Sequence, residues 1–323
     1  DDLFEVSAPS EIYSEGSFFR FPLQLANLVN QLDTKTLLQI AYENVVKPRK
    51  QLVDTFGSFA LGQYGPTLAN LFLLNYSYKL WGVDPHTLSK EVSGGRLKGL
   101  DLANFIREIL LGKRSRPEHI DGSFLYPKYG IGMVADAMCE AIGKGRIHTE
   151  SRVSKLLHSG GRIERILIND YTEVDVSTVV NTLPLTLSAK ILDPSPPTDL
   201  LEAADAIKYR NLILCVFGLD RAQFSPNASL YFPDAELPFT RIYEPKNRSS
   251  FMAPEGQTAI VIECPCFDHD QIWSMPSEAV RSTVWKALQG VQVLKESEVV
   301  CFQIFRLPFA YPVSYTHLTL PTS

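Results

Sequence analysis

Apolar residues recur at helical spacing through much of the first third of the chain and at strand spacing through most of the last. Residues 1–116 are expected to be mostly helical. "FFRFPLQLANLVNQLD" enters with an aromatic cluster and Pro22, and "YGPTLANLFLLNYSYKLWG" has Pro66 suited to a first helical turn, followed by Leu68, Leu71, Phe72 and Asn75 at helical spacing. In "LDLANFIREILLG", Asp101 can cap a helix, Leu102, Phe105, Ile106, Ile109 and Leu110 form its stripe, and Gly112 ends it.

The pattern changes over 117–192. A helix from Gly132 to Ile142 stops at Gly143, "GRIHTES" predicts a short strand, and "RVSKLLHSGGRIERILIND" predicts two strands joined at Gly160-Gly161. "VDVSTVVNTLP" is expected to be a buried strand ending at Pro184. Residues 193–313 read as strands ("RNLILCVFGLD", "ASLYFPD", "FTRIYEP", "QTAIVIECPCF", "VVCFQIFRLPFAYP") with one amphipathic helix, "MPSEAVRSTVWKALQG", whose apolar positions include Ala279, Val280, Val284 and Leu288. The fold class is α/β, with α+β character. The expected division is 1–116, 117–192 and 193–313.

Composition narrows the function. The chain has 323 residues, 45% hydrophobic and 21% charged, with a net charge of -5 and a pI near 5.8. It has room for two domains and no basic field to hold a nucleic-acid backbone. No apolar run approaches the length of a membrane-spanning helix; "LILCVFGL" is too short and reads as a strand. Five cysteines (139, 215, 264, 266 and 301), mostly in apolar runs, suit reduced, buried thiols in a cytoplasmic protein better than a disulfide framework. Asn75, Asn227 and Asn247 each begin an Asn-x-Ser triplet, which matters only in a secreted protein. The chain starts at Asp1 without methionine, and "VSYTHLTLPTS" breaks the pattern before it. Residues 314–323 are therefore expected to be a non-native tail without packed contacts.

Candidate chemistry is sparse. Gly130-x-Gly132-x-x-Ala135, with Glu150 twenty residues after Gly130, nearly matches a dinucleotide-binding fingerprint. Such a turn needs a buried strand immediately before it, whereas "SFLYPKY" places Pro127, Lys128 and Tyr129 there; the alternative is a helix that starts on glycines for close packing. "CPCFDHD" puts Cys264, Cys266, Asp268, His269 and Asp270 together, but no second ligand pair at usual spacing completes a metal site. Neither Gly-x-Ser-x-Gly nor a Cys/His signature is present. Phe18, Phe19, Phe21, Tyr76, Tyr78 and Trp81, with Arg241 and Tyr243, could line a pocket; core packing is the competing assignment.

The order of motifs adds more than any one of them. "FLYPKYGIGMVADAMCEAIGKGRIHTESRVSKLL…VDVSTVVNTLPL", the segment containing Lys79, Trp81 and Gly82, and "LYFPDAELPFTRIYEPKNRSSFMAPEG" together resemble the flavin-dependent amine oxidase and protoporphyrinogen oxidase-like superfamily, including its UDP-galactopyranose mutase-like members. The resemblance runs over nearly all of 1–313. It implies FAD as cofactor and a partial FAD/NAD(P)-binding domain of the glutathione-reductase type over 117–192. It further implies a substrate lobe with a helical part (1–116) and a sheet (193–313).

Family resemblance implies that Val153 meets the adenine through its backbone, that Thr182, Leu183 and Pro184 lie near the adenosine side, and that Gly130 belongs to the return into the cofactor domain. Phe19, Trp81, Arg241 and Tyr243 are the implied substrate residues; catalytic residues are unassigned. The family's pyrophosphate loop precedes anything present here and a second flavin-contacting segment follows it, so the chain resembles the middle of a larger enzyme. The implied function is an FAD-dependent oxidoreductase acting on a small organic substrate. The alternatives are a UDP-galactopyranose mutase-like isomerase and a non-catalytic binding module or remnant.

Overall fold

The computed structural model describes residues 2–6, 9–21, 23, 25–46, 54–92, 124–292 and 294–315. The chain divides into two units, residues 132–209 and the remainder on either side of them.

The N-terminus is the first departure from expectation. Strand β1 (Leu3–Val6) is followed by a hairpin of β2 (Ser10–Ser14) and β3 (Ser17–Phe21) where helix was expected. Glu15 (φ 49°) and Gly16 (φ 80°) close the hairpin with two successive left-handed residues, the turn whose twist matches paired strands. Helices then occupy Leu25–Gln31, Thr34–Val46 and Phe56–Tyr64. Thr55 and Ser58 cap the third reciprocally, each side chain bonding the other's backbone N–H. Pro66 opens the next helix at its first turn, as expected, but the spacing after it is not regular α-helix. Ala69–Leu74 is a π-helical turn before α-helix resumes at Asn75–Trp81. The expected helix at 101–112 lies outside the described residues.

β4 (Phe124–Pro127) pairs antiparallel with β1. Gly130 thus follows an edge of a two-stranded antiparallel sheet and not a central parallel strand, so the fingerprint geometry is absent there.

The second unit holds β5 (Val153–Ser159), β6 (Arg162–Ile168), β7 (Thr172–Asp175) and β8 (Leu192–Asp193) in the order β7-β6-β5-β8. The β5–β6 hairpin turns at Gly160 (φ 55°) and Gly161 (φ 77°) as the sequence predicts. Two other expectations fail. "GRIHTES" forms a single 3-10 turn, Lys144–Arg146, and then irregular chain. Residues 176–184 leave the ladder after β7, and Val180 is 87% exposed. An apolar run becomes a buried strand only where neighbours offer it both a ladder and a covering layer; the described unit offers this run neither. The helix Gly132–Ile142 likewise buries no residue.

In the first unit, β9 (Tyr209–Leu219), β10 (Ser229–Tyr231), β11 (Arg241–Tyr243), β12 (Thr258–Cys266) and β13 (Val299–Pro312) join β2 and β3 in one sheet, ordered β13-β9-β12-β11-β10-β2-β3. Alternation divides each strand between two faces. One face presents Ile213, Cys215, Phe217 and Leu219 of β9, Ile260, Ile262 and Cys264 of β12, and Ile242 of β11; helix Ser277–Val291 covers it with Val280, Val284 and Leu288. Cys215, Cys264 and Cys266 are buried thiols, as expected; Cys139 and Cys301 are exposed, contrary to expectation. On the opposite face the helices within 25–46 and 56–81 cover the β2–β3 end, where Ile12 and Phe19 pack with Leu28, Tyr64, Leu68 and Phe72.

The tail expectation needs correcting in part. Tyr315 bridges Leu88 and packs on the cluster containing Leu88 and Val313, and Ser89 N–H donates to Ser314 O at 3.1 Å. Ordered contacts therefore reach Tyr315; residues 316–323 lie outside the described residues.

Candidate functional site

Beyond the helical cover, the second face of the sheet turns polar. Tyr231, Arg241 and Glu263 stand in register across β10, β11 and β12. The Arg241 guanidinium donates to both Glu263 carboxylate oxygens, from Nε at 2.9 Å and Nη2 at 2.5 Å. Glu263 is 7% exposed. A carboxylate this buried requires a partner, and the bidentate fork supplies one.

Tyrosines wall the pair. Tyr76 packs edge-on against Tyr231, centroids 5.8 Å apart. The Tyr243 ring lies 5.3 Å from the Arg241 guanidinium and 4.8 Å from that of Arg248. Tyr311 meets Trp81 edge-on at 6.2 Å. Burial raises the Tyr76 phenol well above the ordinary tyrosine value, and burial with the Glu263 charge raises Tyr243 against the nearby Arg241 and Arg248 charges. Both hydroxyls therefore stay protonated at neutral pH and are available to donate. Burial opposes the Arg241 charge, but the Glu263 bond outweighs it and holds the arginine above its usual pKa.

Two cations, the half-buried Lys79 and the buried Arg210, anchor the helix that carries Tyr76. Lys79, one helical turn on, donates to three carbonyls of the β10–β11 connection: Phe232 O (2.7 Å), Asp234 O (2.7 Å) and Phe239 O (2.8 Å). Burial pushes its pKa down to about 8, against the charges of Asp234 and Glu236. Arg210, 4% exposed, reaches from β9 to Lys79 O (3.0 Å), Leu80 O (3.1 Å) and Pro265 O (2.9 Å) and stacks on Phe267 at 4.3 Å. Gly82 ends the helix at φ 69°, and a Cβ there would come within 2.5 Å of Arg210 Nη1 and of Phe267. The Lys79-Trp81-Gly82 motif thus has a physical basis: it latches the helix end to the sheet.

Among the expected substrate residues, Arg241 and Tyr243 belong to the cluster, and Trp81, half-buried, reaches it through Tyr311. Phe19 does not. It is 2% exposed and packs edge-on against Phe72 at 5.0 Å, in the core. Glu263, Tyr231, Tyr311 and Arg248 escaped the sequence reading. Glu263 was findable as the one charge inside the apolar run "AIVIECPC". Tyr231 and Tyr311 were not, because their roles depend on strand register and packing.

Of the expected cofactor residues, Val153 is half-buried at the start of β5, Thr182 and Leu183 are exposed, and Pro184 caps the helix Leu185–Lys190. Just inside that helix the buried Thr186 hydroxyl has no hydrogen-bond partner. Gly130 has φ 99°, with Met252 lying 3.0 Å from where a Cβ would be. An accessible segment with backbone groups outside any ladder fits the adenosine side of a dinucleotide. For a diphosphate, Arg152, Lys155, Arg165 and Lys190 of the same unit are paired with Asp170, Asp193, Glu173 and Asp205, whereas Lys144, Arg146, Arg162 and Lys208 are in no ion pair among the described residues.

Residues 83–313 match the family described as flavin containing amine oxidoreductase, well over half of the chain. Among solved structures, the chain is similar to reduced UDP-galactopyranose mutase (17% identity, TM-score 0.83, covering 98% of this chain and 69% of that one). It is also similar to a protein named after protoporphyrinogen oxidase from Exiguobacterium sp. 255-15 (14%, TM-score 0.73, 98% and 71%). Putrescine oxidase bound to putrescine is a third (16%, TM-score 0.58, 97% and 72%). At these identities the likeness establishes a shared fold.

Proposed function

The chain belongs to the flavin containing amine oxidoreductase family, and from that premise we propose that it forms part of an FAD-dependent oxidoreductase whose small organic substrate lies on the Arg241–Glu263 face. One observation carries this reading: a bidentate ion pair walled by tyrosines on the sheet face opposite the helix-covered core. Such a pair costs stability to bury, and recognition of a ligand is the role we give it.

FAD, when bound, supplies the electron acceptor. The chain's own residues bind and orient. Arg241 and Glu263 offer a fixed donor and acceptor edge to a polar substrate end, the protonated Tyr76 and Tyr243 add donors, and Trp81 with Tyr311 shapes the apolar side. Val153, Thr182, Leu183, Pro184 and Gly130 are the proposed cofactor contacts. In this reading, 1–116 and 193–313 make the substrate lobe, and 117–192 is the return into a cofactor domain of the glutathione-reductase type.

The test is anaerobic bleaching of added FAD by a panel of amines and porphyrinogens, with Arg241→Met as control. Substrate-dependent bleaching lost in the variant supports the proposal; bleaching unchanged in Arg241→Met removes the substrate face from it. The runner-up is a flavin-dependent sugar isomerase, favoured by the segment containing Lys79, Trp81 and Gly82 and by the fold likeness to UDP-galactopyranose mutase. Conversion of UDP-galactopyranose only with reduced flavin, without net bleaching, would select it.

A further inference from the structure

A cavity of about 280 Å³ lies between β1 and residues 246–251. Phe4 and Phe251 stack in its wall at 5.7 Å with planes 21° apart, yet remain 36% and 48% exposed. Lys246 and Arg248 line it, and Lys128 lies 4.4 Å over the Phe251 ring. All three cations are half-buried, in a chain whose net charge is -5. No described carboxylate lies within 4.0 Å of any of them. Glu5 is the acidic residue in the wall.

These groups differ in what already satisfies them. Lys246 donates to Gln257 O at 2.6 Å and, more loosely, to Ala222 O and Pro254 O, so its bonds are largely spent on shaping the loop. Asn247 is likewise engaged with Ser225 O and Asn227 O. Arg248 is different: it lies against the Tyr243 ring and has no described carboxylate within 4.0 Å, although Glu5 shares the cavity wall. Half-buried cations lose hydration and gain from an anion placed between them. Exposed stacked rings gain from a third aromatic plane.

We propose that this cavity binds a small planar aromatic anion, an aryl carboxylate or aryl phosphate. The ring stacks on the face of Phe4 not taken by Phe251, and the anionic group meets Arg248, with Lys128 adding its charge from over the Phe251 ring. The volume admits one ring with its substituent. The site is separate from the Arg241–Glu263 cluster and does not depend on the flavin reading. The side chain of Arg248, shared between Tyr243 and the cavity wall, is the point where the two regions adjoin.

The test is isothermal titration of the full chain with phenyl phosphate, benzoate, inorganic phosphate and benzyl alcohol. Saturable one-to-one binding is expected for phenyl phosphate or benzoate, whichever anion the site prefers. It should be at least about tenfold tighter than for inorganic phosphate or benzyl alcohol, which each carry half of the recognition. Arg248→Gln and Phe251→Ala should each weaken it about tenfold or more, while thermal melts confirm that both variants fold. Lys128→Gln gives a second cation test if Arg248→Gln fails to fold. Equal binding of inorganic phosphate would overturn the aromatic half, and unaltered affinity in both cation variants would overturn the anionic half. Displacement of the probe by FAD would overturn the separate site and return the cavity to the cofactor.

Discussion

The two faces of β9, β11 and β12 are built from alternate residues of the same three strands, and their chemistry is opposite. One presents Phe217, Ile242 and Ile262, all at most 1% exposed, to helix Ser277–Val291. The other presents Arg241, Tyr243 and Glu263, tied by an ion pair and ring contacts. Apolar burial at about 25 cal/mol per Å² stabilises the first. The second keeps a desolvated ion pair that an apolar pair of similar volume would replace at no cost. The sheet thus separates stability on one face from recognition on the other, and substitutions can test that separation.

The largest effect should come from the stability face. Phe217→Ala removes a ring packed at 5.1 Å on Trp285 and 4.8 Å on Phe302, and should cost about 3–5 kcal/mol in a urea melt. A loss under about 1 kcal/mol would mean this face is not the main core.

The polar face should respond in a different way. Arg241→Met alone leaves Glu263 buried without its partner and should cost about 3 kcal/mol; Arg241→Met combined with Glu263→Leu should restore stability to within about 1 kcal/mol of the parent. The same double variant should lose the substrate response. If it stays as destabilised as the single, the pair is structural and the contrast between faces collapses.

The latch between helix and sheet should fall next. Gly82→Ala forces a Cβ into a left-handed position already filled by Arg210 and Phe267, with an expected loss of about 2 kcal/mol. Hydrogen exchange should quicken over 75–82 first; uniform quickening over the whole sheet would argue that the latch is not local.

Tyr76→Phe is the mildest change. It keeps the edge contact with Tyr231 and removes one hydroxyl, so stability should shift by about 1 kcal/mol or less. A larger fall in ligand affinity than in stability would sharpen the assignment of Tyr76 to recognition, and the reverse would move it to the core.

Much of the fold was legible where a periodic pattern was long. "MPSEAVRSTVWKALQG" forms the helix with Val280, Val284 and Leu288 inward, and the five strand segments of 193–313 all form strands. Legibility failed where the signal was short or the partner distant. The β2–β3 hairpin depends on the two turn residues Glu15 and Gly16, which stand just before the aromatic run read as the entry to a helix. The π turn at Ala69–Leu74 inserts a register change into an otherwise regular helical spacing. Residues 176–184 have the composition of a buried strand and lie outside every described ladder.

The sequence by itself determined the alternation that gives the sheet two unlike faces, the family motifs, and the presence of one charge, Glu263, in an apolar strand. Those are local properties, set by residue type and spacing within a single element. Only the tertiary structure decided that Glu263 meets Arg241, that Tyr76 lies on Tyr231, that Phe19 is core, and that Lys79 and Arg210 anchor the helix end. Each of these joins residues 20 or more positions apart through strand register and helix placement. Long-range pairing of that kind follows from which elements bury one another, and no single segment encodes it.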